Sequence, residues 1–184
     1  MVRDLMTLPA RDPASKRVNV IVETPKGCRN KYKYDEQLGL FQLHKRLPAG
    51  ATFPFDFGFV PSTLADDGDA VDLLILVDEP APQGCLVTTR LLGVLRAEQT
   101  EKGRTIRNDR LIGVAETDKI KPEERTLADL PKKLLVQIEH FFVSYNQLEG
   151  RTFVVTDRQG PAAARTLIEQ GEARYRSGKR AAKA

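Results

Sequence analysis

The chain is 184 residues long, enough for one domain with a sizeable core. Hydrophobic residues make up 41% and charged ones 29%, the balance of a globular protein in water, and no apolar run nears the roughly 20 residues that a bilayer helix needs. The net charge of +4 is small and partly confined to the tail RYRSGKRAAKA, which argues against a dedicated nucleic-acid binder.

The N-terminal stretch MVRDLMTLPARDPASKRVNV lacks the apolar core of a signal peptide, so a cytoplasmic location is expected. Residues 1 to about 16, with Pro9 and Pro13 among charges, read as an irregular arm. RVNVIVETP follows as a strand that Pro25–Gly27 stops. Cys28 in that turn lies far from Cys85 and forms no CxxC pair, so neither a disulfide nor a zinc site is expected.

NKYKYDEQLGLFQLHKRL reads as a hairpin turning through Gln37–Gly39. Lys31 and Lys33 then share one face, and Tyr32 and Tyr34 the other. PAGATFPFDFGFVP begins as a turn and places Phe53, Phe55, Phe57 and Phe59 on one face of a strand. Beside basic residues such a stripe can stack nucleic-acid bases, but the commoner outcome, and the one expected here, is a core face. Next come the acidic bend DDGDA, the strand VDLLILVD, the turn EPAPQG and the strand CLVTTRLLGVLRAEQ. TEKGRTIRND is a hairpin tip and RLIGVAE a returning strand. Closely spaced strands joined by short turns predict an antiparallel barrel.

The last third changes period. Asp129 is placed to cap a helix with Pro131 in its first turn. Leu134, Leu135, Ile138, Phe141, Phe142, Tyr145 and Leu148 recur at three- and four-residue spacing up to Gly150. A strand TFVVTD and a second helix from about 161 to 175 complete the chain, ahead of a basic tail from about 176 to 184. With no repeat and no linker, residues 1–184 are expected to form a single α+β, mainly β, domain: a barrel flanked by two or more helices.

The bend carries the chemistry. Asp66, Asp67, Asp69 and Asp72 fall within seven positions ahead of an apolar strand. In extended backbone Asp67 and Asp69 face one side, and a turn near Gly68–Ala70 can bring Asp72 to them. A solvated turn explains Asp66 to Asp69. It does not explain Asp72, an acid one residue inside VDLLILV, which calls for a compensating cation. Glycine at the sixth and glutamate at the twelfth position of a calcium loop are missing, which leaves magnesium as the hard cation of choice. The basic residues Lys31, Lys33, Lys45 and Arg46 all fall in the first hairpin, and cations near such a metal suit phosphate groups. His44 and His140 show no partner pattern, and no glycine-rich nucleotide fingerprint occurs.

Taken together and in order, these segments resemble soluble, magnesium-dependent inorganic pyrophosphatases. DGDAVDL is similar to the family signature Asp-x-Asp-Pro-x-Asp followed by an apolar residue. VIVETP, NKYKYD, FPFDFGFVPSTLADDGD, LLGVLRAE and QIEHFFVSYNQLEG follow the family's other segments, over roughly residues 18 to 175. The resemblance implies a five-stranded OB-like barrel, assembly into homo-oligomers, and magnesium (or manganese) ions that clamp pyrophosphate and activate water. It implies that Asp67 and Asp72 ligate metal and that Asp69 orients or deprotonates the attacking water. Lys31 and Tyr145 would contact phosphate oxygens, and Glu23 would act at the edge of the site.

Several positions depart from the family pattern. Lys45, with Arg46 beside it, stands where the family has a phosphate-binding arginine. Phe53 and Phe57 replace tyrosines, Lys33 a glutamate, Asn146 a lysine and Ala70 the signature proline. After GVLR the family places two further metal-binding aspartates and a lysine; here Glu98 and Gln99 stand near the first, Asn108 aligns with the second, and Arg110 replaces the lysine as a substrate contact. Asp109 serves as a metal ligand only with a one-residue shift. The reading is therefore magnesium-dependent pyrophosphate hydrolysis with fewer bound ions. The alternatives are a hydrolase for another phosphoanhydride or phosphate ester, using Phe53 and Phe57 as an apolar wall, and a non-catalytic OB-like domain that binds polyanions or single-stranded nucleic acid. No membrane or nucleic-acid partner is expected.

Overall fold

Runs of β-branched and aromatic residues form strands where their periodicity places them, and the longest runs close on one another. In the computed structural model, which describes residues 4–116 and 125–181, the strands are β1 (Val18–Thr24), β2 (Asn30–Asp35), β3 (Leu40–Arg46), β4 (Asp56–Val60), β5 (Val71–Leu76), β6 (Leu86–Glu101), β7 (Arg104–Arg107), β8 (Arg110–Ala115) and β9 (Thr152–Gln159). The helices are α1 (Lys132–Leu148) and α2 (Pro161–Ala181). Strand order β1-β4-β5-β8-β6, with β6 returning to β1, makes a five-stranded ring. One feature differs from the antiparallel expectation: β5 and β8 run parallel, Leu73 opposite Leu111 and Leu76 opposite Val114. The long β6 and β7 lie between them in the chain and supply the crossover that a parallel pair requires.

β6 leaves the ring halfway along its 16 residues and pairs its second half with β7 and β9. Gly93 sits at that exit. A Cβ there would lie 2.2 Å from the Gln159 carbonyl oxygen, so only glycine admits the end of β9 so closely. β2 and β3 stand outside the ring as a separate two-stranded sheet.

β1, β4 and β8 are buried along their whole length, as expected of strands covered on both faces. One cluster joins Phe57, Leu74, Leu95 and Ile112 to Ile138 and Phe142 of α1. Another joins Val20, Leu73, Ile75 and Leu111 to Ala164 and Ile168 of α2. The phenylalanine stripe is core, but not one face of one strand. Phe53 and Phe55 precede β4; Phe53 and Phe57 join the α1 cluster, while Phe59 packs with Met6, Ile21 and Tyr34.

Three boundaries differ from expectation. Asp129 does not cap α1. Its carboxylate accepts the amides of Arg125 and Thr126 and the Thr126 hydroxyl, closing the 3-10 turn Leu127–Asp129, and α1 starts after Pro131. α2 continues past residue 175 to Ala181, into the segment expected as a tail. The arm is ordered at Leu5–Thr7, where buried Met6 is held by the Tyr175 hydroxyl on its carbonyl. No helix among the described residues is long and apolar enough to cross a membrane.

Candidate active site

The acidic bend lies between β4 and β5. Gly68 adopts φ of +89°, which lets its amide reach the Ala65 carbonyl at 3.2 Å while the Ala65 amide bonds the Asp69 carbonyl at 2.7 Å. This tight reversal replaces the extended backbone on which Asp67 and Asp69 were expected to face one side. Asp66 and Asp67 line one cleft with Asn108, Asp109 and Arg110; Asp69 lines a second with Glu23, Lys31 and Lys33. Asp72, the second residue of β5, borders both clefts.

Each wall of the bend meets a base. Asp66 pairs with Arg174 at 2.9 Å, Asp69 with Lys33 at 2.7 Å, and Asp72 with Nη1 of Arg110 at 2.5 Å. Only a quarter of the Asp72 side chain is exposed. Burial pushes its carboxyl above the ordinary aspartate range, with Arg110 and Lys31 opposing that rise. Burial likewise raises Glu23 to about 7; the Tyr34 amide, 2.8 Å from its Oε1, pulls the other way. Burial disfavours the charge of Lys33, yet the bond to Asp69 and the nearby acids raise it overall.

The facing wall is the β2–β3 hairpin. Lys31 opposes Lys45 across it, just before a register shift at Tyr32. The Nζ of Lys31 lies 5.5 Å from the ring centres of both Phe57 and Tyr145, and that of Lys45 lies 5.4 Å from Tyr145. Lys45 also holds Glu149 at 2.6 Å, which lowers that glutamate. The Tyr145 hydroxyl, supplied by α1, is buried without a hydrogen-bond partner. Arg46 is turned onto the Asn30 side-chain oxygen.

The hairpin tip behaves differently from a ligand set. The side-chain amide of Asn108 donates to Gln99 Oε1 at 2.7 Å, and both residues are buried. Asp109 gives one oxygen to Arg96 and Arg107, at 2.7 and 2.8 Å, and the other to the Ala97 amide. Its carboxylate is thus committed to its own neighbours, although Asp109 borders the same cleft as Asn108 and Arg110. Arg110 is 9% exposed, stacks over Phe142 and Phe153, and leaves its buried Nε without a partner. Asn146 donates to the Phe142 carbonyl inside α1, a structural role. Phe53 and Phe57 are buried in the core, so they provide no apolar wall for an organic substrate group.

Sequence reasoning missed Arg174 and Arg96, because nothing local links either to an acid more than ten residues away. Among the described residues no three Asp, Glu, His or Cys side chains close on a point as a metal would require. The donor chemistry still suits a hard divalent cation, since the carboxylates of Asp67 and Asp72 border one cleft. What occupies the compensating place is a guanidinium.

A family profile described as inorganic pyrophosphatase matches residues 20–176. The inorganic pyrophosphatase of Thermus thermophilus is 36% identical over 176 residues, covering 94% of this chain and 98% of the relative. That of Geobacillus stearothermophilus is 36% identical over 161 residues, covering 88% and 95%. A crystal structure of inorganic pyrophosphatase from Thermus thermophilus superposes with a TM-score of 0.85 at 36% identity, covering 95% of this chain and 99% of that one.

Proposed function

The chain belongs to the inorganic pyrophosphatase family, and from that premise we propose how its residues divide the work. The protein is an inorganic diphosphatase that hydrolyses pyrophosphate to two phosphates. The observation that carries the division is the cleft in which Asp69 and Asp72 meet Lys31, whose ammonium, like that of Lys45, lies over the ring of Tyr145 with its unpartnered hydroxyl; Asp67 borders the adjoining cleft that shares Asp72.

The family uses a divalent metal, and magnesium, with manganese as substitute, fits oxygen donors of this kind. Asp67 and Asp72 would hold it, where it neutralises phosphate charge and lowers the pKa of bound water. Asp109 is left out of this set because both of its oxygens are already bonded. Asp69, steadied by Lys33, would orient the attacking water and accept its proton. The new P–O bond forms as the bridging P–O bond breaks, and the leaving phosphate carries the bridging oxygen. Lys31, Lys45, Tyr145 and Arg110 meet the charge on the phosphate oxygens, while Glu23 supports the edge through Tyr34. Assembly as a homo-oligomer and a cytoplasmic location complete the proposal.

Phosphate release from pyrophosphate by purified protein, titrated with magnesium and with manganese, tests the reading. Turnover that rises with metal and disappears with a chelator supports it. No release at any metal concentration would sink it.

A further inference from the structure

The cleft at the acidic bend carries its own cations. Asp66 is paired to Arg174, Asp72 to Arg110, and Asp109 to Arg107. Asn108, which lines it, is bonded to Gln99 as a neutral amide pair and adds no negative charge. Arg110 stands out among these bases. The rings of Phe142 and Phe153 support its guanidinium, one nitrogen is bonded to Asp72, and Nε is buried without any acceptor. A guanidinium has five N–H donors, and leaving one desolvated is costly unless an acceptor arrives at some stage.

Asp72 is at once the acid proposed as a metal ligand and the partner of Arg110, and one carboxylate cannot serve both cations equally. Coulomb repulsion between a divalent ion and a guanidinium on the same oxygen is large in a site this buried. The geometry points to Arg110 as an exchangeable counter-ion: it neutralises Asp72 in the metal-free protein and competes with the divalent ion for that carboxylate. This inference rests on the metal reading of the bend. When the ion takes Asp72, Arg110 is released toward the cleft, where its free donors meet a phosphate oxygen. The cost of parting the pair weakens metal binding in the free protein, and substrate, which supplies the new acceptor, restores it. Metal and pyrophosphate should therefore bind more tightly together than separately.

The test is manganese binding to metal-stripped full-length protein, without phosphate, by calorimetry or electron paramagnetic resonance. Arg110→Gln removes the charge but retains donors, and its fold is checked by circular dichroism. It should bind manganese at least about tenfold more tightly than wild type, the scale of a released ion pair in a partly buried site. The double variant Arg110→Gln/Asp72→Asn should lose that gain, which locates the ion. Equal or weaker binding by a folded Arg110→Gln protein overturns the counter-ion role while leaving the metal reading standing. Absence of manganese binding from both proteins overturns the metal reading and the inference with it. A manganese-loaded crystal of wild type serves should Arg110→Gln not fold. Arg110 parted from Asp72 supports the exchange, and a pair still hydrogen-bonded beside the bound ion refutes it.

Discussion

The two walls of the site are built by opposite means. Asp72 and Arg110 project from β5 and β8, adjacent strands of the ring buried between helices. Lys31 and Lys45 project from a two-stranded sheet outside the ring, whose β3 is mostly exposed. On the ring side the charges are paired with one another and desolvated. On the hairpin side both lie over aromatic rings, and Lys45 is also paired with Glu149. The contrast gives fixed geometry to the wall proposed to bind metal and adaptability to the wall proposed to bind phosphate, because ring strands are locked by packing on both faces while a lone hairpin is not.

The sharpest way to break this contrast is Asp72→Asn. It keeps volume but removes a proposed ligand, and even outer partners of metal ligands cost 10- to 100-fold, so turnover should fall by more than about a hundredfold. Steady-state phosphate release measures it, and near-normal activity would move the metal elsewhere. In the ring, Ile138→Ala should cost about 2–5 kcal/mol in denaturant unfolding, because Ile138 is wholly buried in the α1 cluster. On the hairpin, Leu40 is 63% exposed, and Leu40→Ala should stay within about 0.5 kcal/mol. A large loss there would show the hairpin to be packed against something, such as another copy of the chain.

Glu23 links the walls and provides a pH test. Its folded pKa of about 7 lies above the ordinary 4.5, so the folded state binds its proton more tightly than the unfolded one. That contribution to stability is fully present below 4.5 and lost as pH rises through 7. In metal-free protein Glu23→Gln should flatten the decline over this window, by on the order of 2 kcal/mol. An unchanged slope in thermal melts would put the pH dependence on other groups. The smallest stability effect belongs to Tyr145→Phe. Its hydroxyl has no partner in the free protein, so stability should change by less than about 1 kcal/mol. Turnover should still fall about tenfold or more, the worth of one hydrogen bond to a charged phosphate oxygen. Unaltered turnover would remove Tyr145 from the substrate contacts.

Much of the fold was legible locally. β-branched runs bounded by glycine and proline marked the strands, three- and four-residue spacing marked α1, and Gly150 marked its end with φ of +72°. The hairpin register followed from its turn as far as Tyr32, with Tyr34 opposite Phe41, whereas the shift between Lys31 and Tyr32 that sets Lys31 opposite Lys45 did not. The start of α1 was less legible, since Asp129 has the chemistry of a cap for whichever turn is nearest. The Thr126 amide and hydroxyl reached it first.

Residue order along the chain thus determined which elements form, that four acids crowd one bend, and that two lysines share one strand. It did so because periodicity, turn chemistry and spacing act over a few residues. Tertiary structure alone decided that β6 returns to β1, that β5 and β8 run parallel, and that Gly68 sends Asp67 and Asp69 into different clefts. It alone brought Arg110 to Asp72 and turned Asp109 toward Arg96. Pairings across tens of residues depend on register and closure, and in a strand a shift of one position exchanges a side chain that faces the site for one that faces away.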